Sequence, residues 1–223
     1  LQRSRCALEH HTSLPKCYCE RSAAIWSHPN IPLTVIPECS DRGSHHLVST
    51  MVKAGSYALS FGIESATNRI LKEIKKVLTV EQTMEKVNMV HDAAPSIMLQ
   101  GFFMIGFPDA TEEEIEATLE LARSLPLNIA IFSPLRPTPG TKIYEDLVNS
   151  GVIDANLEYD PEGMGQHYFV RSYSPVSDDK MKLLNRKAYR SFYFRPKVIA
   201  NLLWHTRSKA QAINIYNGIK RLI

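Results

Sequence analysis

Acidic residues stop at Asp179. Beyond it lie eleven of the chain's 26 Lys and Arg and none of its 23 Asp and Glu, which leaves fifteen cations against 23 anions, or −8, on residues 1–179. That division excludes an evenly charged surface. It calls for an acidic counterpart to the basic tail: the protein's own body, a nucleic acid or an anionic membrane. Long apolar runs are missing too. Nothing in the 223 residues approaches the run of ~18 apolar residues that spans a bilayer. The opening Leu1-Gln2-Arg3-Ser4-Arg5-Cys6 leads into no apolar stretch of signal-peptide type. A cytoplasmic protein without a transmembrane segment is expected, and a first residue that is Leu1 rather than Met fits a piece of something longer. Cysteine is confined to Cys6, Cys17, Cys19 and Cys39, at steps of eleven, two and twenty residues. Those steps match no zinc site, and Cys17-Tyr18-Cys19 lacks the two-residue gap of a redox pair. Free thiols are the expectation, and no metal ligand is assigned.

What is present is enough apolar material, 44% of the chain, for one core with a small appendage. From residue 32 to 151 short β-rich runs alternate with helical periods, the mark of βα units and a parallel sheet. Leu33-Thr34-Val35-Ile36 is a first strand, followed by a helix near 45–54 that Gly55 closes. Tyr57 to Gly62 is a second strand, with a short helix over 66–76 behind it. Thr79 and Gln82 form a capping box for the next helix, whose apolar stripe is Val80, Met84, Val87 and Val90. Ile97 to Ile105 reads as a strand buried on both faces. Thr111 and Glu114 make a second capping box, and Ile115, Leu119, Ala122 and Leu125 mark the stripe behind it. Ile129 to Phe132 is a further strand, running through a proline-rich loop into a helix over 141–149.

Residues 152–223 form a basic helical extension, in which Ser177 caps a helix carrying Met181, Leu184, Ala188 and Phe192 and Pro196 opens another segment. Residues 1–31 show no period and are an irregular N-terminal segment. The fold class expected is α/β: a partial (β/α) barrel of about four parallel βα units followed by a C-terminal helical extension. Such a half barrel leaves a strand edge near residues 33–36, so self-association through that edge is expected.

In parallel α/β sheets ligands gather at the carboxyl ends of the strands. Ser60, Glu64 and Ser65 place a carboxylate and hydroxyls at one such end, either to hydrogen-bond a ligand or with Ser65 as the cap of the 66–76 helix. Gly106, ahead of Phe107-Pro108-Asp109, either lets a ligand approach the backbone or simply makes the turn. Pro139-Gly140-Thr141 is a rigid entry to a helix whose free N–H groups suit an anion, or again a plain turn.

Taken together, "AGSYALSFGIESATNRILKEIKK", "TVEQTMEKV", "GFFMIGFPDATEEEIEATLELARSLPL" and "FSPLRPTPGTKIYEDL" resemble, in order and spacing, the second half of a radical S-adenosylmethionine (radical SAM) core. The group resembled often carries a preceding cobalamin-binding domain, and "FYFRPKVIANLLWHTRS" is similar to its basic tail. The resemblance implies that Glu64 and Ser65, with Ser60 as a further candidate, face the ribose or methionine part of SAM. Residues 102–109 fall at the family's G-x-I-x-G-x-x-E motif, with Gly106 retained, Phe102 and Met104 in place of its first Gly and its Ile, and Asp109 in place of its Glu. Met104 is expected to pack on adenine, with Pro139, Gly140 and Thr141 near the adenine and the substrate mouth. Complete family members use S-adenosylmethionine and a four-iron four-sulfur cluster to generate a 5′-deoxyadenosyl radical on a small-molecule substrate, some with cobalamin.

The three thiolates that hold such a cluster, spaced C-x-x-x-C-x-x-C, do not occur in this sequence. The expectation is therefore a truncated radical SAM enzyme, with neither cluster nor turnover on this chain alone. Two other readings compete with it. One is a non-catalytic half-barrel scaffold using its basic tail on nucleic acid or an anionic surface. The other is a barrel enzyme of unrelated chemistry, for which Glu64 with Asp109 or Arg136 is the catalytic pair on offer.

Overall fold

The computed structural model describes residues 33–34, 43–154 and 171–205. The segment 1–31, all four cysteines, Val35-Ile36 and the last four cations, Arg207, Lys209, Lys220 and Arg221, lie outside the described residues. Strands form at the four expected places: β1 (Leu33–Thr34), β2 (Ala58–Glu64), β3 (Met98–Ile105) and β4 (Ile129–Pro134). They lie in the order β1-β2-β3-β4, and every neighbouring pair is parallel. Crossovers run through α1 (Gly43–Lys53), α2 (Asn68–Glu73), α3 (Val80–Ala93) and α4 (Glu112–Ser124); α5 (Lys142–Asn149), α6 (Asp178–Tyr193) and α7 (Pro196–His205) follow the sheet. This is the expected α/β partial barrel with its helical extension.

Both capping boxes form. Thr79 Oγ1 accepts from the Gln82 N–H at 3.3 Å while Gln82 Oε1 accepts from the Thr79 N–H at 3.0 Å. Thr111 and Glu114 repeat the pattern at 3.3 and 3.0 Å. The 66–76 segment is corrected: α2 is shorter, and its N-cap position is Thr67 rather than Ser65. β3 is corrected too, because its residues alternate between fully buried and half-buried. Its sequence is apolar on both sides, yet only Leu99, Gly101, Phe103 and Ile105 are fully buried. They share a core with Leu59, Phe61 and Ile63 of β2, Phe132 of β4, and Val87, Val90, Ile115, Leu119 and Ala122 of the helices. Phe103 and Phe132 stack at 5.2 Å between ring centroids. The half-buried side carries Gly62 and Glu64 of β2, Gln100, Phe102 and Met104 of β3, and Ile131 and Ser133 of β4; in a barrel this is the inner face.

α6 is bound into that core rather than hung beside it. Met181, Leu184, Ala188 and Phe192 are all buried within it, and two of the helix's cations meet anions of α4, Lys180 with Glu112 at 2.6 Å and Lys187 with Glu116. The docking on β4 is polar and specific. Tyr189 Oη donates to the Phe132 C=O at 3.0 Å and accepts from its N–H at 3.2 Å. Tyr193 Oη does the same at Ala130, at 2.9 and 3.3 Å. β4 is the last strand of the sheet, and its alternate residues Ala130, Phe132 and Pro134 turn their main-chain groups outward. Two of the three are met by tyrosine hydroxyls, and the third, a proline, has no N–H to offer.

Candidate active site

β2 ends irregularly. Its register with β3 shifts between Gly62 and Glu64, and Glu64 has φ +69°. The Ser65 N–H donates to the Ile63 C=O at 2.9 Å, a three-residue turn of γ type centred on a glutamate. A side-chain-bearing residue held in this region costs about 1–3 kcal/mol and persists only where its surroundings impose it. The bulge keeps Glu64 on the inner face with Ser60 and Gly62. Its carboxylate is three-quarters buried, with 25% side-chain exposure. Burial raises its pKa above the usual carboxylate range, and the Lys76 ammonium, 4.0 Å from Oε1, pulls it part of the way back. Lys76 also donates to the Gly62 C=O at 2.5 Å. Gly62 is what makes room for both groups: a Cβ there would stand 2.8 Å from Glu64 Oε1 and 3.3 Å from Lys76 Nζ.

A carboxyl three-quarters buried on a strained turn works against the fold. Glu64→Gly is therefore expected to stabilise the protein by about 1 kcal/mol, since glycine adopts positive φ without the Cβ penalty. Urea unfolding of the two chains measures it, and a destabilised variant would show that the glutamate has a structural role.

The loop after β2 is fixed by its neighbours. Ser65 is buried, and its hydroxyl accepts from the Thr67 N–H at 3.2 Å; Thr118 of α4 accepts from the Ala66 N–H at 3.1 Å. Ser65 thus braces the turn instead of capping the helix. Arg69 joins this loop to the one after β3. Its guanidinium meets Glu114 at 2.7 Å, Glu73 at 2.8 Å and the Asp109 C=O at 3.1 Å, and the Glu114 pair lowers the pKa of that carboxyl.

The other candidates divide. Ser60 is buried, with its hydroxyl 3.4 Å from Gln100 Oε1, and Met104 is half-buried; both lie on the same face of the sheet as Glu64. Gly106 has φ +81°, and a Cβ on it would lie 2.9 Å from Met181 Cε, so conformation and the packing of α6 already require a glycine. Asp109 is exposed. Pro139, Gly140 and Thr141 are exposed as well, with Thr141 accepting from the Tyr144 N–H at 3.3 Å as the cap of α5. Two members of the site were missed in the sequence, Gly62 as a spacer and Lys76. Nothing in the sequence pattern marks Lys76, because what it meets is a main-chain carbonyl.

No family model matches the chain. Among curated proteins it is 37% identical over 158 residues to the uncharacterized methyltransferase PH0819 of Pyrococcus horikoshii, covering 69% of this chain and 32% of that protein. It is 35% identical over 101 residues to tRNA-2-methylthio-N(6)-dimethylallyladenosine synthase of Paracoccus denitrificans, covering 45% and 23%. It is 31% identical over 120 residues to cytidylyl-2-hydroxyethylphosphonate methyltransferase of Streptomyces wedmorensis, covering 51% and 22%. The chain thus spans about a third of the first relative's length and under a quarter of the other two. With the four sequence blocks lying in order on a parallel half barrel, and with these relatives beside them, the chain belongs to the radical SAM family.

Proposed function

We propose that the inner face at the carboxyl end of β2 and β3 binds S-adenosylmethionine, as part of an enzyme that cleaves it reductively to a 5′-deoxyadenosyl radical acting on an organic substrate. The observation that carries this reading is Glu64, an acceptor held against local strain at a strand end where ligands gather. In it the Glu64 carboxylate accepts from ribose hydroxyls or the methionine ammonium, Met104 and Phe102 offer apolar surface to adenine, and Ser60 lies deeper on the same strand. Ser65 and Gly106 shape the two loops, and Asp109, Pro139, Gly140 and Thr141 belong to the mouth.

The iron–sulfur cluster does not fit the residues present. The cysteine spacing is wrong for it. No step is assigned to this chain through a cluster, and no turnover is expected of it alone. Cobalamin belongs to the same proposal only through the group that the tail resembles. No helix among the described residues is long and apolar enough to cross a membrane, and the reading places the work in the cytoplasm.

Titrating the chain with S-adenosylmethionine by calorimetry tests the reading. Saturable binding is expected, weakened about tenfold by Glu64→Gln, in keeping with the ~1.5–3 kcal/mol of a hydrogen bond to a charged group. A chain that does not bind, or a Glu64→Gln variant that binds as well as the parent, overturns it.

A further inference from the structure

We infer that Lys76 is a positioning residue for this site: bonded to the Gly62 carbonyl and facing Glu64, it fixes the bulged end of β2 and so decides where the carboxylate points. The inference rests on the reading of the site given above.

Two unusual backbone conformations converge on this one contact. Among the described residues, Glu64 and Lys75 are the only non-glycine residues at positive φ, +69° and +57°. α2 ends in a Schellman motif, with the Lys76 N–H donating to the Leu71 C=O at 2.8 Å and the Lys75 N–H to the Lys72 C=O at 3.0 Å. The left-handed position of that motif is normally glycine and here is Lys75. The reversal it makes returns Lys76 to the strand that α2 has just left. There the ammonium meets an acceptor that β-pairing leaves exposed at the bulge, the Gly62 C=O, and a position where any side chain larger than glycine would displace it. A lysine needed only for solubility would not sit 16% exposed with its charge on a main-chain carbonyl.

The neighbouring charges are engaged elsewhere: Arg69 holds Glu73 and Glu114, and Glu81 of α3 accepts from Asn68. Lys76 is therefore the cation that faces Glu64. Placed there, it pulls the carboxyl's pKa down against the effect of burial while occupying the carbonyl that would otherwise compete for the ligand's donors.

The experiment compares Lys76→Met and Lys76→Arg in the full chain, with S-adenosylmethionine affinity by calorimetry and the Glu64 carboxyl titrated by 13C NMR. Lys76→Met is expected to weaken binding about tenfold and to move the Glu64 titration upward; Lys76→Arg should restore affinity to within about threefold. Loss of packing alone would expose the carboxyl and move its titration down rather than up, and a conserved charge would not rescue it. If Lys76→Met binds like the parent while Glu64→Gln does not, Lys76 is idle and this inference falls while the site stands. If the parent itself does not bind, the site reading falls, and the NMR arm decides Lys76 by itself: an unmoved Glu64 titration overturns the inference, and a raised one upholds the contact.

Discussion

Removing both phenolic hydroxyls from α6, in Tyr189→Phe with Tyr193→Phe, is expected to lower the unfolding free energy by about 3 kcal/mol. The rings stay, so the stacked and edge-on contacts among Phe132, Tyr189 and Tyr193 are largely kept. What is lost is the polar match. Two hydroxyls serve four main-chain groups of β4, at Ala130 and Phe132, and a buried group left unpaired costs roughly 1–3 kcal/mol. Water reaching part of the edge keeps the sum below the simple total. Urea unfolding at constant m-value measures the loss. A double variant within about 0.5 kcal/mol of the parent would mean that the edge is hydrated and the hydroxyls idle. The same result bears on the tail's role, because a helix that seals the sheet cannot be released as an arm for nucleic acid without unfolding what it covers.

The second large effect appears at high pH. Burial lifts Tyr193 from the ordinary phenol value to about 12, and lifts Tyr189 in the same direction, against the opposing pull of their carbonyl partners' hydrogen bonds. The folded value lies above the unfolded one, near 10, so the unfolded chain gives up its proton first. The stabilisation is complete below pH 10 and is lost as pH rises towards 12. At about 1.4 kcal/mol per pH unit and proton, Tyr193 alone removes roughly 3 kcal/mol across that window. Stability measured by circular dichroism from pH 9 to 12 should fall steeply in the parent. It should fall less in the Tyr193→Phe variant, and equal slopes would refute the assignment.

Most of the architecture was legible because its signals are local. A capping box is two side chains three residues apart, and both boxes formed as read. The strands announced themselves as apolar runs between turn residues, and the parallel order follows from helices between them. The double burial of β3 failed because apolar sequence on two faces says what could be covered, not what is. Of the candidate residues, Glu64 and Ser60 were legible as polar groups towards the end of a parallel strand, whereas Met104 came only with the family resemblance; alternation at i, i+2 and i+4 keeps Ser60 and Glu64 on one face. Ser65 misled because a hydroxyl ahead of a helix reads as a cap whether it serves the first helical turn or the turn before it.

Lys76 and the tyrosine pair were not legible for a shared reason: each acts on main-chain atoms of a distant strand. No side-chain pattern records a free carbonyl at a bulge or an unpaired N–H on an edge. Tyr189 and Tyr193 stand beside the apolar stripe of α6, where phenols look like the flank of an amphipathic helix. The basic character of that helix was read correctly, but part of it is committed to Glu112 and Glu116, which composition cannot reveal.

The hydroxyl-sealed border of β4 gives the sheet a direction of growth. A strand arriving at that side finds Ala130 and Phe132 taken and Pro134 without a donor, so the outward residues leave it no N–H to pair with. Among the described residues, the other border of the sheet is β1, and an additional strand therefore finds its ladder next to Leu33 and Thr34 rather than beside β4.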